Sequence, residues 1–393
     1  MTDSNESTSA MNDEKQLTSI KRRQEVCGGR TTGFDFLRLG LALAVFVWHL
    51  QSTSVGRELA METWNSWLKV VPTAILPMFF ALSGFLVSGS LERCRTTGYF
   101  LFLRMIRIFP ALAVEVWLSA LILGPFLTEI ALGDYFRSAD FQAYLLNTIG
   151  IISFSLPGVF EANNYAGVVN AQLWTVPWEL ECYVAIAVIS LLKLYQSRHI
   201  AILLALLLTA MFVLTYIHGD LPERHLGGRA LVGYFLFGVL FYRLRAFIPF
   251  DPRLFWLCLC TSVIAGSFHG GGYLIFLPLT YVTIYIGLQT WKLPAFMHWG
   301  DYSYGIFLYH FVVQQTMVAS FDWAQSMILN GVASLVATVI LAMLSWHLVE
   351  LPFQSTRKYG KLMESRWIAG GLVGKRNGSS SSPPKHLVSE VDR

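Results

Sequence analysis

Charge is what this chain of 393 residues has least of: Asp, Glu, Lys and Arg together supply 14% of it. A soluble surface needs roughly a quarter. Hydrophobic residues reach 54%, the mean hydropathy is +0.51, and the charges gather in short clusters between long apolar runs. That shortage excludes a soluble enzyme, a nucleic-acid binder and a disordered chain, and leaves a polytopic membrane protein. Cysteine is scarce too. None of Cys27, Cys94, Cys182, Cys258 and Cys260 falls in an expected external loop, so no structural disulfide is expected. Cys258-Leu-Cys260 has neither the spacing nor the paired histidines of a zinc knuckle, and no metal site is expected. No repeat is evident. The polar stretch before Phe34 has no apolar core, so no cleavable signal peptide is expected, and the first span acts as its own insertion signal.

Crossing a bilayer takes roughly 20 apolar residues. Ten stretches qualify, near 34–51, 70–91, 104–126, 173–193, 200–217, 229–246, 254–269, 273–290, 303–320 and 328–349. An eleventh, 141–157, is shorter and ends in Ser153-Phe154-Ser155-Leu156-Pro157-Gly158. It reads as re-entrant or interfacial, with a true span as the alternative. With ten spans, all but Arg57, Lys69, Arg137, Arg224 and Arg229 of the 29 lysines and arginines lie at or near one side, which makes that side cytoplasmic. The expected fold class is therefore all-α: a polytopic integral membrane helical bundle of about ten transmembrane helices, both termini cytoplasmic. Residues 1–33 form a cytoplasmic polar segment and 34–353 the transmembrane domain. Residues 354–393 form a basic tail, Gly/Ser/Pro-rich at 377–384, expected to be disordered and too short for an appended soluble domain.

Ionisable groups inside spans are costly, so they mark candidate sites. Arg38 and His49 stand eleven residues apart on nearly one face of the first span, roughly 16 Å along its axis. Arg104 and Arg107 share a face of the third, and guanidinium forks suit phosphate oxygens. Glu179 and Glu181 are two apart and face different sides. His310 lies well inside a tyrosine-rich span. His347 and Glu350 close the last span and suit a structural helix end. Ser83-Gly84 in Phe79-Phe80-Ala81-Leu82-Ser83-Gly84-Phe85 suits close helix packing.

Taken in order, these blocks resemble the membrane-bound acyltransferase-3 family, over about 34–353. The resemblance rests on Arg-x10-His (Arg38, His49), the Phe79 to Phe85 block, and Arg-x-x-Arg (Arg104, Arg107) followed by Pro110. It continues through Leu-Trp-Thr-x-Pro-x-Glu-x-x-x-Tyr (Leu173 to Tyr183), Ser-Tyr-x-x-x-Leu-x-His ending at His310, and Glu-x-Pro (Glu350 to Pro352). The stretch from Leu156 to Thr175 looks closest to the branch acting on exopolysaccharides and nodulation factors, although Trp178 and Cys182 depart from its pattern. The resemblance implies O-acyl transfer, acetyl most often, from cytoplasmic acyl-CoA to a hydroxyl of an extracytoplasmic or membrane-associated glycan, in a bacterial inner membrane. Acyl-CoA is then a co-substrate and no cofactor is held permanently. The partners are acyl-CoA, the glycan and the bilayer, without nucleic acid.

On that reading Arg38, Arg104 and Arg107 bind the acyl donor. His49 is the catalytic base or the nucleophile. Glu179 orients or stabilises its imidazolium or binds the sugar, and His310 is a second candidate for either task. Tyr183 and Ser83 are supporting residues. The competing reading is a glycan or lipid-linked-sugar transporter without acyl chemistry, which leaves the arginine–histidine axis unexplained.

Overall fold

The computed structural model describes residues 19–28, 31–64, 69–194, 197–219, 226–292, 294 and 298–365. These residues are helical with no strand; one isolated bridge pairs Ser19 with Pro249. Every one of the ten expected apolar stretches forms a helix. They are α1 (Thr32–Val55), α2 (Val70–Arg93), α3 (Thr97–Leu118), α4 (Val176–Leu191), α5 (Arg198–His218), α6 (Gly228–Leu244), α7 (Pro252–Gly266), α8 (Phe276–Gly287), α9 (Ser303–Ser320) and α10 (Met327–Ser345). Polar punctuation starts them. Thr96 and Ser197 cap α3 and α5 by accepting from Tyr99 and Ile200 amides, and Asp251 followed by Pro252 starts α7.

Six helical runs are long and apolar enough to cross a membrane: Thr32–Val55, Val70–Arg93, Thr97–Leu127, Ala171–Leu191, Arg198–His218 and Met327–Ser365. The other four helices run from 12 to 18 residues. Twelve residues rise only about 18 Å, so α8 is a short helix buried among longer ones. The stretch 141–157 is no continuous helix. Ala139–Leu145 and a short tight turn at Leu146–Ile149 end at Gly150 in the left-handed region, and the chain then runs without regular structure to Leu156. The first residues of the expected tail, 354–365, are helical apart from a turn at Thr356. The reason is a side-chain anchor. Glu364 accepts hydrogen bonds from the Thr96 amide at 2.7 Å and the Thr96 hydroxyl at 2.8 Å. Residues 1–18 and 366–393 lie outside the described residues.

Packing is tightest between α2 and α6. A Cβ on Gly84 would stand 2.0 Å from the Phe235 carbonyl oxygen, and one on Gly238 would stand 2.1 Å from that of Ala81. The Ser83-Gly84 block is therefore a backbone-on-backbone contact, as its composition suggested. At the centre is α9, packed against α1 and α10, with His310, Gln314 and Gln315 fully buried.

The segment 150–175 dips into the bundle: Leu156, Val159, Phe160, Val169, Asn170, Gln172 and Leu173 are buried. Irregular backbone survives there only if its polar groups find partners. Gln315 supplies them, donating to the carbonyls of Tyr165 at 2.6 Å and Val168 at 2.8 Å, while Asn163 donates back to the Gln315 carbonyl at 2.9 Å.

Candidate active site

The continuous helix α1 carries Arg38 near one end and His49 eleven residues further on. Each lines a different cavity. The first, about 340 Å³, is bounded by Trp48, His49, Arg57, Tyr165, Gln172 and Trp174 among others. The second, about 210 Å³, is bounded by Arg38, Ser83, Arg104, Arg107, Glu179 and Tyr183. Leu76, Thr175 and Phe307 line both, so the cavities lie back to back across a thin partition.

In the first cavity the two histidines meet. His49 Nδ1 and His310 Nε2 are 2.7 Å apart, with the rings stacked at 20° and 5.0 Å between centroids. The direction of this bond follows from the far side of His310. Its Nδ1 lies 2.9 Å from the Phe307 carbonyl and 3.1 Å from that of Ile306. Carbonyls only accept, so His310 Nδ1 carries a proton. In the neutral ring Nε2 then accepts from His49 Nδ1–H, an assignment made from the hydrogen-bond network. The resulting tautomer of His49 bears its lone pair on Nε2. Phe311 closes over His49 edge-on at 5.1 Å. A base oriented by a second, buried group is the arrangement that proton abstraction requires.

The second cavity is cationic, but its arginines are unequal. Asp301, just before α9, is the hub: its Oδ2 takes Arg38 Nη1 at 2.9 Å and Arg107 Nη2 at 2.8 Å. Asp35 takes Arg38 Nη2 at 2.6 Å, and Glu350 takes Arg107 Nη1 at 3.4 Å. Burial alone would raise the Asp301 carboxyl. Arg38, Arg107 and the hydrogen bonds from Ser303 outweigh it and hold the group well below the usual carboxylate range.

Arg104 differs. Its Nη2 donates to the Ser90 hydroxyl at 3.3 Å, its guanidinium lies 5.9 Å from the ring centroids of Phe100 and Tyr183, and its Nε is buried without a partner. Among the described residues it forms no carboxylate pair within 4 Å.

The expected site residues thus fall into two groups, His49 with His310 and Arg38, Arg104, Arg107, Glu179, Tyr183 and Ser83 together. Glu179 stands with the arginines, accepting from the Tyr183 hydroxyl, and the group aligned with His49 is His310. Glu181 is exposed on the other side of α4, as their spacing required. Glu350 and His347 sit in a π-turn, Trp346–Glu350, that ends α10. Glu350 braces Arg107, and His347 Nε2 meets the Tyr302 hydroxyl at 3.3 Å. Sequence reasoning missed two participants. Asp301 was visible only as the start of a motif. Glu115, fully buried, was detectable as a lone acid inside the apolar run 104–126.

The helical membrane bundle thus holds an oriented imidazole in one cavity and arginines lining a second cavity behind it. A family model described as Acyltransferase domain matches residues 31–347; the chain belongs to the acyltransferase-3 family and is an acyltransferase. It is similar to Nodulation protein 10 of Rhizobium leguminosarum bv. viciae, 27% identical over 362 residues that cover 85% of this chain and 96% of that protein. It is likewise similar to the O-acetyl transferase of Shigella phage Sf6, 27% identical over 345 residues that cover 84% and 97%. No solved structure matches.

Proposed function

We propose that this chain transfers an acyl group, acetyl in the first place, from acyl-coenzyme A to a hydroxyl of a glycan. The observation that carries this reading is the His49–His310 pair set one partition away from the arginine cavity. The donor approaches from the cytoplasmic face of the bacterial inner membrane. Its phosphates stay with the arginines, and its acyl-bearing arm passes Leu76, Thr175 and Phe307 toward His49, roughly 16 Å along α1. The glycan occupies the His49 cavity, whose Trp48, Tyr165 and Trp174 suit the apolar faces of sugar rings.

In the reaction, His49 Nε2 takes the proton of the acceptor hydroxyl while its oxygen attacks the thioester carbonyl. The carbon–sulfur bond then breaks, and the leaving thiolate takes up the proton from His49. His310 steadies the imidazolium by accepting from His49 Nδ1–H at its Nε2. Arg104 serves as the anion-binding arginine, since carboxylates already neutralise Arg38 and Arg107. Glu179 and Tyr183 shape the donor cavity.

The test is thiol release by purified protein in nanodiscs supplied with acetyl-coenzyme A and the glycan fraction of its source cells. Release that needs the glycan and is lost, by roughly 10²-fold or more, in folded His49→Ala supports the reading. Wild-type turnover by that variant would eliminate the role of His49. Glycan movement across vesicles without thiol release would indicate a transporter instead.

A further inference from the structure

Glu115 is fully buried on α3, at the edge of the π-turn Ser119–Leu123, and the reaction above makes no use of it. Its Oε1 accepts from the Ser119 hydroxyl at 2.7 Å and from the Asn170 side-chain amide. The same Asn170 nitrogen donates to the Tyr144 hydroxyl at 2.7 Å. Both hydrogens of that amide are therefore committed, and Asn170 Oδ1 is left to accept. It does so from Gln172 Nε2 at 3.1 Å, which also donates to the Leu308 carbonyl at 2.7 Å. Gln172 is thereby fixed in turn, because both neighbours of its nitrogen are acceptors and a flipped amide would set oxygen against oxygen. Two polar atoms of this network are buried and without a partner among the described residues, Glu115 Oε2 at one end and Gln172 Oε1 at the other. Gln172 lines the His49 cavity.

We propose that Glu115, Asn170 and Gln172 form a one-way hydrogen-bond relay that makes Gln172 Oε1 a fixed acceptor for a hydroxyl of the glycan beside His49. This rests on the reading of the His49 cavity as the glycan's. A buried acceptor gains from each donor it meets, and a sugar hydroxyl seated against it supplies one. The polarity is set at both ends: the Leu308 carbonyl only accepts, which fixes the nitrogen of Gln172 and turns Asn170 Oδ1 toward it, and the Glu115 carboxylate oxygen accepts from the Asn170 amide behind. Gln172 is the residue that touches the glycan; Glu115 and Asn170 are positioning residues. An amide N–H of the donor's arm offers the same chemistry, and the two sources separate by which substrate's constant moves.

The experiment measures transfer of labelled acetyl from acetyl-coenzyme A to the glycan fraction extracted from source cells lacking this chain, with each substrate varied in turn. Gln172→Met and Glu115→Leu are expected to raise the apparent KM for the glycan fraction roughly three- to tenfold, the worth of one hydrogen bond, with the donor KM unchanged. Glu115→Gln keeps an accepting oxygen toward Ser119 and Asn170, and should stay within about twofold of wild type. Should Gln172→Met not fold, Gln172→Asn retracts the amide by one methylene and serves the same purpose. An unchanged glycan KM in folded Gln172 variants, or Glu115→Gln as impaired as Glu115→Leu, overturns the relay. A rise confined to the donor KM overturns the assignment to the glycan. Absence of transfer by wild type would sink the underlying function instead, a result distinct from all of these.

Discussion

Replacing His310 with phenylalanine keeps a ring of similar size in a fully buried position and removes the acceptor 2.7 Å from His49 Nδ1. Two losses follow. The hydrogen bond held His49 in the tautomer whose Nε2 carries the lone pair, and an imidazole without that partner spends part of its time in the other. The bond also set the ring's direction, and a misplacement of about 1 Å at a reacting group can cost roughly 10²-fold. The bond's net worth of about 1 kcal/mol gives the smaller limit. Together they place kcat of His310→Phe roughly 5- to 10²-fold below wild type, above the floor set by His49→Ala. The decisive assay is the cycle of both single variants and the double variant, read as acetyl transfer under saturating donor. If His310 acts only through His49, the double variant is no slower than His49→Ala alone. Losses that multiply would refute the mechanism, as would wild-type turnover by folded His310→Phe.

Arg104→Ala should raise the donor KM roughly 10-fold or more, the range of a charge-assisted hydrogen bond, with little loss of folded protein in size-exclusion chromatography. Arg107→Ala leaves buried Glu350 without its ion pair and Asp301 with Arg38 as its remaining guanidinium, and should be recovered in lower yield. Asp301→Asn separates stability from pH. Because the Asp301 carboxyl is held low, its contribution is fully present above the unfolded value near pH 4 and is lost as pH falls below it. The difference in melting temperature between wild type and this variant should therefore stay level from pH 8 to pH 5 and shrink only in stronger acid. Gly84→Ala drives a methyl into the Phe235 backbone; thermal unfolding in nanodiscs should fall by roughly 1–3 kcal/mol of stability.

Much of the fold was readable because hydropathy carries it: each of the ten apolar runs became a helix, and the interrupted run at 141–157 did not become a continuous one. The arginine–histidine axis of α1 was readable too, since both residues sit on one helix. Contacts between helices were not. His49 and His310 are 261 positions apart, and nothing local in either sequence predicts that their rings stack. Which cavity Glu179 lines was not legible either, since its place beside Arg104 and Arg107 follows from how α4 packs against α3. Asp301 sits outside a span, where a carboxylate attracts no suspicion, and only the packing of α1, α3 and α9 makes it the hub of two guanidiniums. The tail's helix depends on Glu364 reaching Thr96, a contact that composition is blind to.

The partition of Leu76, Thr175 and Phe307 has an electrical meaning as well. On the proposed reading the two chambers admit substrates from opposite faces of the membrane, and such an enzyme lies one continuous file of water away from being an ion leak. Each elementary charge that slips through releases about 2.3 kcal/mol per 100 mV. The wall between the chambers is two hydrocarbon side chains and one hydroxyl, thin enough for a narrow arm to displace and apolar enough to break a chain of water. If the acyl arm crosses here as proposed, the residues that let it pass are also the insulation, and the passage must close behind each arm that leaves it.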